Sequence, residues 1–124
     1  MKELVLICAT IFGALAIIFG AFGAHALKKI LSQDLLASFE TGVKYQMYHA
    51  IVLLVLGFQL NFDKPLEVYA AYSFIVGTVL FSFSIFGLCI SSVKGKKLNF
   101  LGPITPIGGL CLTLGWVFLL ICFM

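Results

Sequence analysis

Arginine is absent from these 124 residues, and all eight basic side chains are lysine. Nucleic-acid sites rely on arginine for bidentate contacts with bases and phosphates, so this composition argues against a nucleic-acid partner. Charge of either sign is scarce, at 10% of residues against 62% hydrophobic. No soluble domain of this length has enough interior for that much apolar surface. The bilayer is the expected solvent, and one domain the expected count. Paired cysteines are also missing. Cys8, Cys89, Cys111 and Cys122 each lie inside an apolar run, without CxxC spacing or a neighbouring histidine, and read as small packing residues. There is no nucleophile–base pair, no paired carboxylates, no phosphate loop, and no inverted repeat between residues 1–62 and 63–124. These absences leave a protein that is not an enzyme, with no cofactor and no metal assigned.

What remains is a set of long apolar runs. The first uncharged run covers residues 4–27, enough to cross a hydrocarbon core that takes about 20 helical residues. Ala24-His25-Ala26 imitates a signal-peptide cleavage site, but the run is too long for a signal peptide's apolar region, so it is expected to be a span. Ala16, Gly20 and Ala24 form a small-xxx-small row suited to close helix packing. Residues 32–44 read as a short amphipathic helix lying in the interface, with Ser32 as N-cap and Asp34 in its first turn. Further spans are expected at about 45–62, 68–93 and 106–124. In the last, Thr105 is the expected N-cap and Pro106 the first helical residue. Trp116 then falls mid-helix, away from the interfacial belt where tryptophan is common, and is expected to face protein.

The expected fold is an all-α, integral-membrane four-helix bundle. Lys28, Lys29, Lys44, Lys94, Lys96 and Lys97 fall on one side, against Lys2 and Lys64 on the other. The positive-inside rule puts the lysine-rich side in the cytoplasm and both termini outside. This topology gathers the polar residues at one depth, the cytoplasmic end: His25, Tyr45, Gln46, His49, Ser91 and Thr105. Together they would form a shallow pocket for an anionic headgroup or small solute, helped by the irregular start of the fourth helix. The plainer reading is that these groups satisfy one another and fix helix ends. Ligation of a metal or haem by His25 and His49 is a further alternative, without a third ligand at metal spacing.

Four stretches carry a family likeness. Gly20-Ala-Phe-Gly-Ala-His-Ala-Leu27, Tyr45-Gln-Met-Tyr-His-Ala50, Phe81-Ser-Phe-Ser84, and Gly102-Pro-Ile-Thr-Pro-Ile-Gly-Gly109 with Gly115-Trp116 resemble the YgdD-like family of small bacterial inner-membrane proteins, which has mitochondrial-type relatives in animals. The resemblance covers nearly the whole chain. It implies a four-helix protein of the bacterial plasma membrane and brings no catalytic residues or substrate. It also implies that His25, Tyr45, Gln46, His49, Pro103, Pro106 and Trp116 belong to the family pattern. The expected role is a non-enzymatic structural or accessory component of a membrane complex or homo-oligomer. Binding or transport of a lipid or small solute is the alternative.

Overall fold

The computed structural model describes all 124 residues as four helices and their connections. Helix α1, Lys2–Ala24, is an unbroken apolar run without proline. It closes when the His25 N–H donates to Ala21 O, and a 3₁₀ turn, Leu27–Lys29, brings the chain round. Helix α2, Gln33–Gln59, starts where the Ser32 hydroxyl accepts the Leu35 N–H at 3.3 Å, with Asp34 in the first turn. Helix α3, Pro65–Val93, follows a tight corner in which Phe62 takes a left-handed φ of 61°. Lys64 is extended ahead of Pro65, as the ring of a following proline requires, and Pro65 opens the helix where its missing N–H costs nothing. Helix α4, Ile104–Phe123, follows a 3₁₀ turn at Asn99–Leu101.

Several boundaries differ from those expected. The stretch 32–44 is not a separate interfacial helix, because α2 runs through residues 44 and 45 without a break. No proline or second cap interrupts it, and Gly42 keeps its helical geometry under the ring of Phe86. At its far end α2 stops at Gln59, since Leu60 is already extended. Helix α4 begins one residue before Thr105, so Thr105 is a first-turn residue rather than the cap.

Each helix packs antiparallel on the next. Along α1 and α2, Gly23 meets Phe39, Gly20 faces Val43 and Gly57 lies against Leu6. Along α2 and α3, Phe39 meets Phe86, Tyr45 meets Phe81 and His49 meets Phe74. Along α3 and α4, Gly77 lies against Leu112, and Gly115 against the Phe74 ring. Neither α1 nor α2 comes into backbone contact with α4, so the four helices form an open array rather than a closed bundle. One core joins Val5, Phe12, Leu53, Phe74, Leu112 and Leu119. A smaller one, near the lysine-bearing connections, joins Leu31, Phe39, Ile85, Phe86 and Cys89.

Helix α3 is not regular throughout. Residues Val79–Phe83 form a π turn, a widened segment that lets one extra residue into the helix. Helix α4 comes closest here. A methyl group added to Gly108 would sit 2.7 Å from Phe81 Cα, so this crossing admits only glycine.

Helices α1, α3 and α4 are each long and apolar enough to cross a membrane. Helix α2 falls outside that group because Lys44, Gln46 and His49 lie within it. Gln46 and His49 are nevertheless buried, while Lys44 is exposed and Ile51, Val55 and Phe58 face outward.

The expected packing residues divide. Ala16 is buried and Gly20 lies beside Val43, but Ala24 is exposed, and its place in the row is taken by Gly23 under Phe39. Trp116 does not face the protein interior: it is 52% exposed, with only an edge contact to Phe74 at 5.4 Å. The stripe of α4 that meets α3 is Gly108, Leu112, Gly115 and Leu119, and Trp116 stands one position off it. With no other helix beside α4, a residue off that stripe looks out.

Candidate functional site

The six expected site residues do not form one cluster: they divide between the interior, the surface at the end of α1, and a groove. Gln46 and His49 belong to the interior. Gln46 is fully buried, and its amide Nε2 donates to Phe12 O of α1 at 2.9 Å. His49 Nδ1 lies 2.8 Å from the carbonyl of Tyr45, one turn earlier. A carbonyl only accepts, so Nδ1 carries the proton, and in the neutral ring Nε2 is left as a bare acceptor. Gln46 Oε1, His49 Nε2 and Thr78 Oγ1 are all buried without a protein partner. Thr78 lies on α3 one turn from Phe74, the ring that touches His49. Ser82, one turn further, donates to Gly42 O of α2 at 2.7 Å. Tyr45 is more exposed, with its ring 4.9 Å from Phe81 and 6.2 Å from the His49 ring.

His25 is not in this group. It is exposed at the end of α1, thirteen residues beyond Phe12, or about 20 Å along the axis at the helical rise. His25 and His49 therefore cannot share a metal or haem, which corrects the expectation that the polar residues lie at one depth. The axial offset arises because α2 starts only at Gln33 and runs back down α1, so Gln46 is already well below the turn.

The second region is at the lysine end. Here the first turns of α2, the last turns of α3 and the start of α4 enclose a groove of about 440 Å³. Its apolar floor includes Leu35, Ile85 and Leu88, its polar lining includes Ser38, Thr41, Ser92 and Thr105, and Lys97 is its one charged side chain. Thr105 reaches across to α3 and lies 2.6 Å from Ser84 Oγ. Ser84 Oγ already donates to Phe81 O at 2.9 Å, so the Thr105 hydroxyl is the donor between the two. Ser91 is buried beside the groove rather than in its wall. It accepts the Leu98 N–H at 3.2 Å and ties down the loop that carries Lys97. The sequence alone did not single out Ser38, Thr41 and Lys97 for this region. Helical spacing puts Ser38 and Thr41 on one face, but only the arrival of α3 and α4 makes that face a wall.

An all-helical chain with three span-length apolar helices, and a fourth that buries Gln46 and His49 against its neighbours, is a multi-pass membrane protein. Residues 19–109 match the family described as Protein of unknown function (DUF423). A UPF0382 membrane protein of Staphylococcus aureus is 34% identical over 96% of this chain and 93% of its own length. A UPF0382 membrane protein of Schizosaccharomyces pombe is 36% identical over 91% and 95%. The UPF0382 inner membrane protein YgdD of Escherichia coli is 32% identical over 97% and 88%. The chain belongs to this family of inner-membrane, multi-pass proteins, as its four sequence stretches indicated. No solved structure matches it.

Proposed function

We propose that this protein is a non-enzymatic accessory component of the membrane that seats the phosphate of a lipid headgroup in the groove between α2, α3 and α4. The observation that carries this reading is a groove with an apolar floor, a polar wall and a single cation, Lys97, at the end of the protein where the lysine-bearing connections lie. Hydrocarbon suits the floor, and an ammonium is a natural partner for phosphate. Lys94 and Lys96, in the same loop, add to the positive field there. The proposed topology has this end in the cytoplasm and both termini outside, which follows from the lysine distribution. A cysteine at Lys64 is then labelled by an impermeant maleimide in intact cells and one at Lys96 is not; the reverse pattern refutes the topology.

The test of the lipid reading is native mass spectrometry after gentle extraction. The expected spectrum has the chain plus one phospholipid, with the adduct largely lost in Lys97→Gln. A wild-type chain that carries no lipid contradicts the reading. A second reading, a homo-oligomer or subunit of a larger complex, is favoured by one observation: Trp116 lies mid-helix and half exposed on α4, the helix with a single neighbour. The same spectrum tests it, since a monomer under all mild conditions excludes a stable assembly.

A further inference from the structure

We infer that the groove selects phospholipids whose headgroups bring hydrogen-bond donors beside the phosphate, of the ethanolamine or glycerol type, over headgroups without donors. This inference rests on the lipid reading above and names the headgroup class for that same groove.

It follows from a count of protons. The hydroxyl and thiol groups of the groove have already committed theirs. Ser38 donates to Asp34 O at 3.0 Å, Thr41 to Ala37 O at 3.0 Å and Ser92 to Leu88 O at 2.7 Å. Cys89 donates to Leu35 O at 3.4 Å. Thr105 donates to Ser84 Oγ, whose own proton goes to Phe81 O. Each hydroxyl has one proton and two lone pairs, so these groups now offer the groove acceptors and no donors. Lys97 is the single side-chain donor on the lining.

Such a surface is ill suited to a bare anion. Phosphate oxygens are acceptors, and beyond Lys97 they would meet the lone pairs of Ser38, Thr41 and Ser92. It is well suited to a ligand of mixed character. The phosphate pairs with the Lys97 ammonium, while N–H or O–H groups two or three carbons away donate to the hydroxyl oxygens. Ethanolamine and glycerol headgroups both have this arrangement. Choline has the same phosphate and net charge as ethanolamine, but its methylated nitrogen has no proton to give. Two hydrogen bonds gained in one headgroup and absent in the other correspond to roughly tenfold in retention.

The experiment uses delipidated full-length protein in mild detergent, with four synthetic lipids of one acyl composition in equal amounts. Phosphatidylethanolamine is paired with phosphatidylcholine, and phosphatidylglycerol with phosphatidylmethanol. Within each pair the net charge is equal and the donors differ, and the donor-bearing member is the smaller headgroup in one pair and the larger in the other. Bound lipid is counted by native mass spectrometry. The expected result is preference for the donor-bearing member of each pair by about tenfold. That preference, read as the ratio within each pair, should be erased in the double variant Thr41→Val with Ser92→Ala, whatever its overall lipid retention. Equal retention within each pair overturns the inference and leaves the lipid reading standing. Preference for both anionic lipids over both zwitterionic ones, without regard to donors, overturns it in favour of simple charge attraction. Retention of no lipid at all removes the lipid reading, and the inference with it.

Discussion

Three buried side-chain atoms have no protein partner, while other polar side chains a turn or less away are fully engaged. The contrast gives a measurable difference between Thr78 and Ser82. Ser82 Oγ links α3 to the Gly42 carbonyl of α2, so Ser82→Ala removes an interhelical hydrogen bond worth about 1 kcal/mol in a membrane protein. Thr78 Oγ1 has no partner, so the nearly isosteric Thr78→Val removes a buried polar group that nothing stabilises. Its expected effect is neutral, or stabilising by up to about 1 kcal/mol. Reversible unfolding in mixed micelles checks the pair, and a larger loss for Thr78→Val than for Ser82→Ala contradicts this assignment of hydrogen bonds. The sequence places Ser73, Thr78, Ser82, Ser84, Ser91 and Ser92 in helix α3. It could not show which would cross between helices, because that depends on the rotation of α3 after the π turn.

The π turn is the element on which the groove depends. The Phe81 carbonyl within it accepts the Ser84 hydroxyl, Ser84 in turn meets Thr105, and Gly108 of α4 approaches its backbone. Deleting one residue within Val79–Phe83 should restore α-helical pitch, leaving the remainder of α3 in phase but removing the widened turn that Gly108 of α4 packs against. The expected variant inserts into the membrane but loses the Ser84–Thr105 contact and the lipid adduct. Retention of the adduct at the wild-type level would show that the groove does not need this geometry. The π turn was invisible in the sequence, where residues 68–93 read as one uniform apolar run. It coincides with the close crossing of α4. The helices themselves were legible because long apolar runs bounded by lysines, proline and Ser32 state where a chain enters and leaves hydrocarbon. The boundary within 32–59 was misread for a related reason. A change from amphipathic to apolar composition looks like the end of one helix and the start of another, but composition changes which neighbours a helix meets without breaking its hydrogen bonds.

At the scale of the whole molecule, the arrangement is an open array with polar groups treated in two ways. Mid-protein groups such as Gln46 are buried against neighbouring helices, and the groups of the lysine end line a groove. Family membership agrees with a membrane location, and the groove is the basis of the proposed specificity. The expectation of one polar cluster failed because equal distance from a predicted helix end is not equal depth when α2 begins eight residues after α1 has finished. Thr105 stayed at the groove, Gln46 and His49 went to the interior, and His25 went to the surface.

The measurement that addresses the central claim most directly is photo-cross-linking with a phospholipid carrying a diazirine in its headgroup. The reaction is carried out in the native membrane and the labelled residues are mapped by peptide sequencing. The expected label falls on the groove, within residues 35–41 and 85–97, and drops sharply in Lys97→Gln. Label spread over the outward faces of α1 and α4, with the groove unmarked and Lys97→Gln without effect, would contradict a headgroup site in this groove.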